Sequence, residues 1–323
     1  MNREKMLLLF NPRAGQGVFV RNLYEVLDKF TKNGFLVTAY PTQEAKDAYR
    51  MALEYGADYR YLVCSGGDGT FSEVADALMQ LGAEAAPDSY DLMAGLEASG
   101  TAGANRRPVF GYIPSGTSND FATSLGLPTD VLQAVDAICS GVPKTIDIGR
   151  FQGEYFSYVA AFGLFSDVSY GTPQSMKNAL GHAAYMLEGF KRLSTIKAWS
   201  CTVDCDGEII TGNFVFGMVA NSTSIGGFRL PVSYESVQGD GLFELVLIKE
   251  IRHFAELQDV ITVLSGGAKL SDFFIVRSAR SITVTCNEEI EWTLDGEYGG
   301  KFSRAEIEVI PRALQLMVPR GDA

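Results

Sequence analysis

Over the first half of the chain, short apolar runs alternate with longer segments of helical spacing. Met6 to Phe10 is a continuous apolar run of strand length, ended by Asn11-Pro12-Arg13-Ala14-Gly15-Gln16-Gly17. Helical spacing follows over about Val20 to Asn33, and Gly34 closes it. Phe35 to Tyr40 predicts a second strand, and Thr42, ahead of Gln43 to Lys46, predicts the cap of a helix reaching about Tyr55. Tyr61 to Cys64 predicts a third strand. Ser72 to Met79 predicts a helix whose Val74, Ala75, Leu78 and Met79 can face a sheet. Val109 to Ile113 resumes the strands, and a helix from about Pro128 to Ser140 ends at Gly141. Strand and helix alternating at this spacing predict a parallel sheet with ligands at the carboxyl ends of its strands.

Two segments break that rhythm. From about Leu81 to Arg107, Ala, Gly, Ser and Asp dominate between Pro87 and Pro108, which predicts a surface insertion with a short helix near Asp91 to Ala98. From Thr145 onward the pattern is that of strands separated by Gly and Asp turns: Lys144 to Arg150, Tyr155 to Phe162, Ala198 to Asp204, Glu208 to Asn221, Leu242 to Ile248, Ser281 to Cys286 and Glu291 to Leu294. Helical stretches over about Lys177 to Thr195 and Ile251 to Leu264 interrupt them. The predicted fold class is therefore α/β: an N-terminal doubly wound parallel-sheet domain over residues 1–144, then an antiparallel β-rich domain over 145–310.

Composition and charge narrow the partners. A length of 323 residues gives room for two cores, and 46% hydrophobic against 20% charged residues is the balance of an ordinary globular protein. The net charge of −12 excludes a nucleic-acid partner, which needs a basic footprint. It also repels an anionic membrane, so lipid contact must come from a local patch. The apolar run of Met6 to Phe10 is too short for a signal peptide, and no stretch reaches the ~18 apolar residues of a membrane span. A cytoplasmic protein is expected. The five cysteines are scattered; Cys201 and Cys205 lie four apart without a nearby histidine, so buried thiols are expected rather than a metal or redox site. With only His182 and His253 present, a carboxylate is the expected general base.

The densest chemical signal lies between the third strand and its helix. Gly66, Gly67 and Gly69 surround one acid, Asp68, and Thr70, Phe71 and Ser72 follow. A glycine-rich strand-to-helix turn lets main-chain N–H groups approach a phosphate, and the helix N-terminus adds a favourable field. An acid in that loop makes sense when a cation separates it from the phosphate, which points to a nucleotide with Mg²⁺. No Gly-Lys-Ser/Thr follows, so this is not a Walker loop.

Gly66-Gly67-Asp68-Gly69-Thr70 resembles the phosphate loop shared by diacylglycerol, sphingosine and NAD kinases and phosphofructokinases. Asn11-Pro12-Arg13-Ala14-Gly15 is similar to the first-strand motif of the lipid kinase branch. Gly111 to Ala122, with Pro114, Gly116, Thr117, Asn119 and Asp120, is close to that branch's second loop. Asp240-Gly241-Leu242 resembles its structural metal turn, and Leu294-Asp295-Gly296-Glu297 its Asp-Gly-Glu motif. The motifs span nearly the whole chain in the family's order, and the chain is identified as resembling the diacylglycerol kinase catalytic-domain family.

The resemblance implies ATP and Mg²⁺ as cofactors and a lipid alcohol as acceptor, bound in a cleft between a nucleotide-binding domain and a β-sandwich-like lipid domain. It implies that residues 311–323 return to the first domain. Asn11, Thr42, Gly66, Gly67, Asp68, Gly69, Thr70, Phe71, Ser72 and Thr117 would hold the nucleotide, with Asp68 and Asp120 carrying Mg²⁺ directly or through water. Asp295 would take the proton of the lipid hydroxyl. Asp240, with the carbonyls of Val237 and Leu242, would hold a second, structural Mg²⁺. Transient contact with the membrane surface is expected, and the oligomeric state is open, a homodimer included.

Blander readings stand beside these. Asp-Gly pairs are common turns, Thr42 can be a helix cap alone, Asn119 can brace its loop, and Arg13 can be merely solvated. The segment from Lys177 to Lys197 carries Lys177, His182, Lys191, Arg192 and Lys197 against Glu188, which fits either a packed helix with a solvated face or a contact to anionic lipid headgroups. Two rival functions remain: an NAD kinase-like enzyme with a soluble acceptor, and a non-catalytic nucleotide or lipid sensor.

Overall fold

In the computed structural model, residues 3–83, 107–163, 197–221, 224–225, 228–229, 239–264 and 272–320 are described. The predicted insertion helix near Asp91, the Lys177–Lys197 helix up to residue 196, and Val237 lie outside these residues. Clustering of the chain gives two compact units, Met1–Ile146 with Arg312–Ala323, and Asp147–Pro311.

The first unit grows from β1 (Glu4–Phe10), which pairs in parallel with β2 (Phe35–Pro41) on one side and β3 (Tyr61–Gly66) on the other. β3 pairs in parallel with β4 (Val109–Pro114). Met6 through Phe10 are all buried, so both faces of β1 are covered, which is why its apolar run is continuous rather than alternating. Val26 and Phe30 of α2 (Leu23–Lys32) join Met6, Leu8, Val63 and Ile113 in one core. Val135 and Ile138 of α6 (Val131–Ser140) belong to the same cluster.

Several helix bounds differ from expectation, each for a local reason. The predicted helix from Val20 is two pieces, α1 (Val18–Arg21) and α2, parted at Asn22, whose side chain donates to the Val18 carbonyl at 2.9 Å. Thr42 caps nothing: α3 (Asp47–Tyr55) begins after Lys46, which sits at φ 62°, and the Asp47 carboxylate accepts the Gln43 N–H at 2.8 Å. Helix α4 (Asp68–Ala83) starts a turn earlier than Ser72, because Asp68 is itself a good first-turn residue in the field of the helix N-terminus. Before α6, Asp130 accepts the N–H groups of Leu132 and Gln133 at 3.1 and 3.0 Å, so Pro128 stays outside the helix.

The second unit is antiparallel. After β5 (Val142–Phe151), which enters it, come β6 (Glu154–Phe156), β7 (Val159–Gly163), β8 (Trp199–Cys205) and β9 (Glu208–Ala220). The two-residue strands β10 (Ser224–Ile225) and β11 (Phe228–Arg229) follow, then β12 (Phe243–Lys249), α7 (Phe254–Leu264), β13 (Phe274–Ala279), β14 (Ser281–Leu294) and β15 (Glu297–Val318). β9 pairs with β7, β8 and β12, and β14 pairs with β7, β8 and β15. Trp292 is the largest buried side chain, with Phe151 and Phe162 at centroid distances of 5.0 and 4.8 Å.

The predicted strands over residues 281–286 and 291–294 are one strand, β14, with a register shift between Thr285 and Ile290. β13 and most of β15 were not anticipated. The last residues of β15 belong to the first unit, where Leu316 pairs in parallel with Phe110 of β4. The expectation of five thiols is corrected for two of them: Cys201 and Cys286 stand opposite one another in the β8–β14 register and form a disulfide. Their 85-residue separation hid the pairing. Cys64 and Cys205 are buried free thiols, each pushed up chiefly by burial, Cys205 to about 11. Among the described residues no helix is long and apolar enough to cross a membrane.

Candidate active site

Four turns at the carboxyl ends of the parallel strands of the first unit are tied together by main-chain bonds. Asn11 follows β1, and its N–H donates to the Ser65 carbonyl of β3 at 2.8 Å. Ser115 follows β4, and its N–H donates to the Gly66 carbonyl at 2.8 Å. Thr42 follows β2; its N–H donates to the Phe10 carbonyl at 2.9 Å, and its hydroxyl lies 3.4 Å from the same oxygen. Asn11 Oδ1 accepts the Arg13 N–H at 2.9 Å, an Asx turn that shapes the loop ahead of Gly15. The glycines allow this crowding. A Cβ on Gly15 would meet the Ser115 carbonyl oxygen, and one on Gly116 would lie 2.5 Å from Gly67 Cα.

Asp68 and Asp120 meet across this arrangement. Asp68 Oδ2 accepts the Asp120 N–H at 3.2 Å and Oδ1 accepts the Phe121 N–H at 3.3 Å, so the acid at the start of α4 faces the start of α5 (Asp120–Ser124). Asn119, at φ 51°, closes the second loop on itself: its Oδ1 accepts from Gly116 N–H at 3.0 Å and its Nδ2 donates to the Gly116 carbonyl at 3.2 Å. That is the bracing role. Thr117 is exposed at the tip. Phe71 is fully buried against Phe110, Tyr112 and Phe121, so its ring is a core side chain beneath the turns and not a ligand contact. The N–H groups of Thr70 and Phe71 both turn to the Gly67 carbonyl at 3.1 Å. Ser72 is half-buried, and Gly69 is exposed with space around its Cβ position.

The same unit holds acids that sequence reasoning passed over. Glu73, on the second turn of α4, accepts the Lys46 N–H at 2.9 Å and so ties the glycine-loop helix to the segment after Thr42. Burial pushes its carboxyl up from the usual range, opposed by main-chain N–H donors of Lys46, Tyr49 and Ala48. Asp47 is held below the usual range, foremost by the Gln43 N–H and then by Arg50, with burial opposing.

In the second unit, Asp295 sits at φ 50° in the turn between β14 and β15. Its carboxylate accepts three main-chain N–H groups: Ser157 to Oδ2 at 2.6 Å, and Tyr158 and Val159 to Oδ1, each at 3.0 Å. Its own N–H donates to the Val159 carbonyl at 2.8 Å. The chain between β6 and β7 thus holds the carboxylate in one orientation. Asp240 is exposed and accepts the Leu242 N–H at 2.9 Å. Beside it lies Asp147, almost wholly buried, whose Oδ2 accepts the Gly241 N–H at 2.8 Å. Asp147 braces the Asp240 turn from a strand far away in sequence, a link invisible in the chain read alone; its one local signal is an acid inside the apolar run of β5.

Of the predicted site residues, the structure brings together Asn11, Thr42, Gly66 to Ser72, Thr117 and Asp120 in the first unit, and Asp240 with Leu242 in the second. Asp295 belongs to the second unit. Among the described residues no three His, Cys, Asp or Glu side chains converge as a ready metal cage. A Mg²⁺ that keeps several waters and rests on one or two carboxylates and the phosphates needs no such cage, and Asp68 with Asp120 fits it.

Comparison with known sequences and structures bears on the family and the fold. Residues 5–151 match the profile of the diacylglycerol kinase catalytic domain, and residues 161–318 match that of the YegS C-terminal NAD kinase beta sandwich-like domain. A diacylglycerol kinase of Bacillus subtilis (strain 168) is 31% identical over 323 residues, covering 99% of this chain and 98% of that protein. One from Staphylococcus saprophyticus is 33% identical over 301 residues, covering 93% and 90%. The crystal structure of a diacylglycerol kinase from Bacillus anthracis str. Sterne shares the fold, with a TM-score of 0.70 at 22% identity over 98% of each chain. An N-terminal α/β catalytic domain followed by a β-rich domain, matched over nearly their whole length by such relatives, makes this chain a kinase and a member of the diacylglycerol kinase catalytic-domain family.

Proposed function

We propose that the protein transfers the γ-phosphoryl group of Mg²⁺-bound ATP to a hydroxyl of diacylglycerol or a closely related lipid at the membrane surface. The observation that carries this reading is the knot of four carboxyl-end turns in the first unit, with Asp68 hydrogen-bonded to the N-terminus of α5. The names of the relatives supply the acceptor class.

The residues divide the work as follows. The main chain of Gly66 to Gly69, at the start of α4, offers N–H donors and the helix field to the phosphates. Asn11, Thr42 and Thr117 border the same turns and contact the nucleotide. Asp68 and Asp120 hold Mg²⁺, which when bound neutralises the charge of the transferring group. Asp295 accepts the proton of the attacking hydroxyl; a carboxylate fixed by three N–H donors is a weak base, suited to a loose transition state in which that proton moves late. The Asp240 turn, braced by Asp147, would hold a structural Mg²⁺ through the Asp240 carboxylate and the Leu242 carbonyl, with Val237 the further ligand that the family resemblance implies.

The experiment is an acceptor panel. Purified protein, radiolabelled ATP and Mg²⁺ are offered diacylglycerol, a sphingoid base and NAD, the lipids in mixed micelles. Label in phosphatidic acid supports the proposal. Label in NADP would favour the soluble-acceptor reading, and ATP binding without transfer to any acceptor would favour a sensor.

A further inference from the structure

Beneath the two glycine turns lie two buried hydroxyls that no role above uses. Ser65 is the penultimate residue of β3, and Ser115 is the first residue after β4. Their exposures are 0% and 5%, and their Oγ atoms are 3.0 Å apart. Each is also fixed through its main chain: the Ser65 carbonyl accepts from Asn11, and the Ser115 N–H donates to Gly66. Directly above, the turns touch without intervening side chains, since a Cβ on Gly67 would lie 3.4 Å from Gly116 Cα. The hydroxyl pair is a side-chain to side-chain link between the roots of these turns, beside the Asp68 carboxylate that accepts from Asp120 and Phe121.

We infer that Ser65 and Ser115 are positioning residues for the nucleotide: their hydroxyl pair sets the spacing of the two turns that receive the phosphates. The inference rests on the nucleotide-binding reading given above and adds two residues to it. The chemistry of the pair gives a distinctive signature. Removing one oxygen strands the other hydroxyl in a dry site, whereas removing both leaves no unpaired group. Single losses and the double loss should thus fail to add.

The test measures ATP binding directly, together with KM for ATP, KM for lipid and kcat, on wild type, Ser65→Ala, Ser115→Ala and the double variant. Each single variant should weaken ATP binding about five-fold, with the double variant no worse than about ten-fold rather than the ~25-fold product. kcat at saturating ATP and KM for lipid should stay within about two-fold of wild type. Should an alanine variant not fold, Ser65→Cys and Ser115→Cys, close in volume but poor donors, should show the same nucleotide-specific loss. Unchanged ATP binding in folded variants, losses that multiply, or equal shifts for ATP and lipid would overturn the inference. Wild-type protein that binds no ATP would instead remove the functional reading beneath it.

Discussion

Asp295 carries the sharpest residue-level expectation. Asp295→Asn replaces an acceptor with a group that turns an NH₂ toward the N–H groups of Ser157, Tyr158 and Val159 or gives up one of their bonds. We expect kcat to fall by roughly 10²–10⁴-fold with ATP binding retained. Stability should also fall, by about 1–3 kcal/mol for the buried donors left unpaired. Denaturant melts beside the kinetics separate the two effects, and turnover at the wild-type rate would take Asp295 out of the base role. Asp47 gives a pH dependence of known sign. Its carboxyl is held below its ordinary value in the fold, so its contribution is present above the unfolded pKa and lost as pH falls through the lower, folded one. Asp47→Asn should lower stability at neutral pH and flatten the loss seen by circular dichroism below about pH 4. An unchanged acid limb would contradict this.

At the scale of elements, the turns matter more than the strands that carry them. Gly116→Ala would place a Cβ against Gly67 Cα at 2.5 Å, main chain against which neither side can swing away. We expect ATP affinity to drop at least ten-fold while the fold persists, which isothermal titration would show; wild-type affinity would mean that the turns part freely. Arg107 joins other elements, donating to the Met79 carbonyl near the end of α4 and to the Ala313 carbonyl of β15. Arg107→Ala should cost about 1.5–3 kcal/mol in urea melts, as lost bonds from a charged donor. The parallel strands were legible because burial on both faces writes an unbroken apolar run, as in Met6 to Phe10. β15 carries the period-2 signal of a half-buried strand, with buried Ala305, Ile307 and Val309 alternating with Arg304, Glu306 and Glu308, and that signal was passed over because charged residues and Pro311 dominate the segment. The start of α4 was misplaced because its first turn includes Asp68 and Gly69 of the glycine-rich loop. The glycine-rich turn itself stood out in the sequence because Gly66, Gly67 and Gly69 cluster at the end of an apolar run. The braces, Glu73, Asp147 and the Ser65–Ser115 pair, did not, since each acts on a partner distant in sequence.

For the molecule as a whole, the proposal requires Asp68, Asp120 and Asp295 each for phosphoryl transfer from ATP to a lipid hydroxyl. A net charge of −12 repels anionic lipid over the chain as a whole, so under the proposed function a lipid acceptor would be met through a local patch. The most direct measurement is the rate of label transfer from ATP to diacylglycerol in mixed micelles with Mg²⁺, for wild type, Asp68→Asn, Asp120→Asn and Asp295→Asn, with and without EDTA. The account predicts labelled phosphatidic acid from the wild type, its loss on chelation, and a fall of about a hundred-fold or more in each variant. Full-rate transfer by a variant at any of the three acids, or no transfer by the wild type to any lipid hydroxyl, would contradict it.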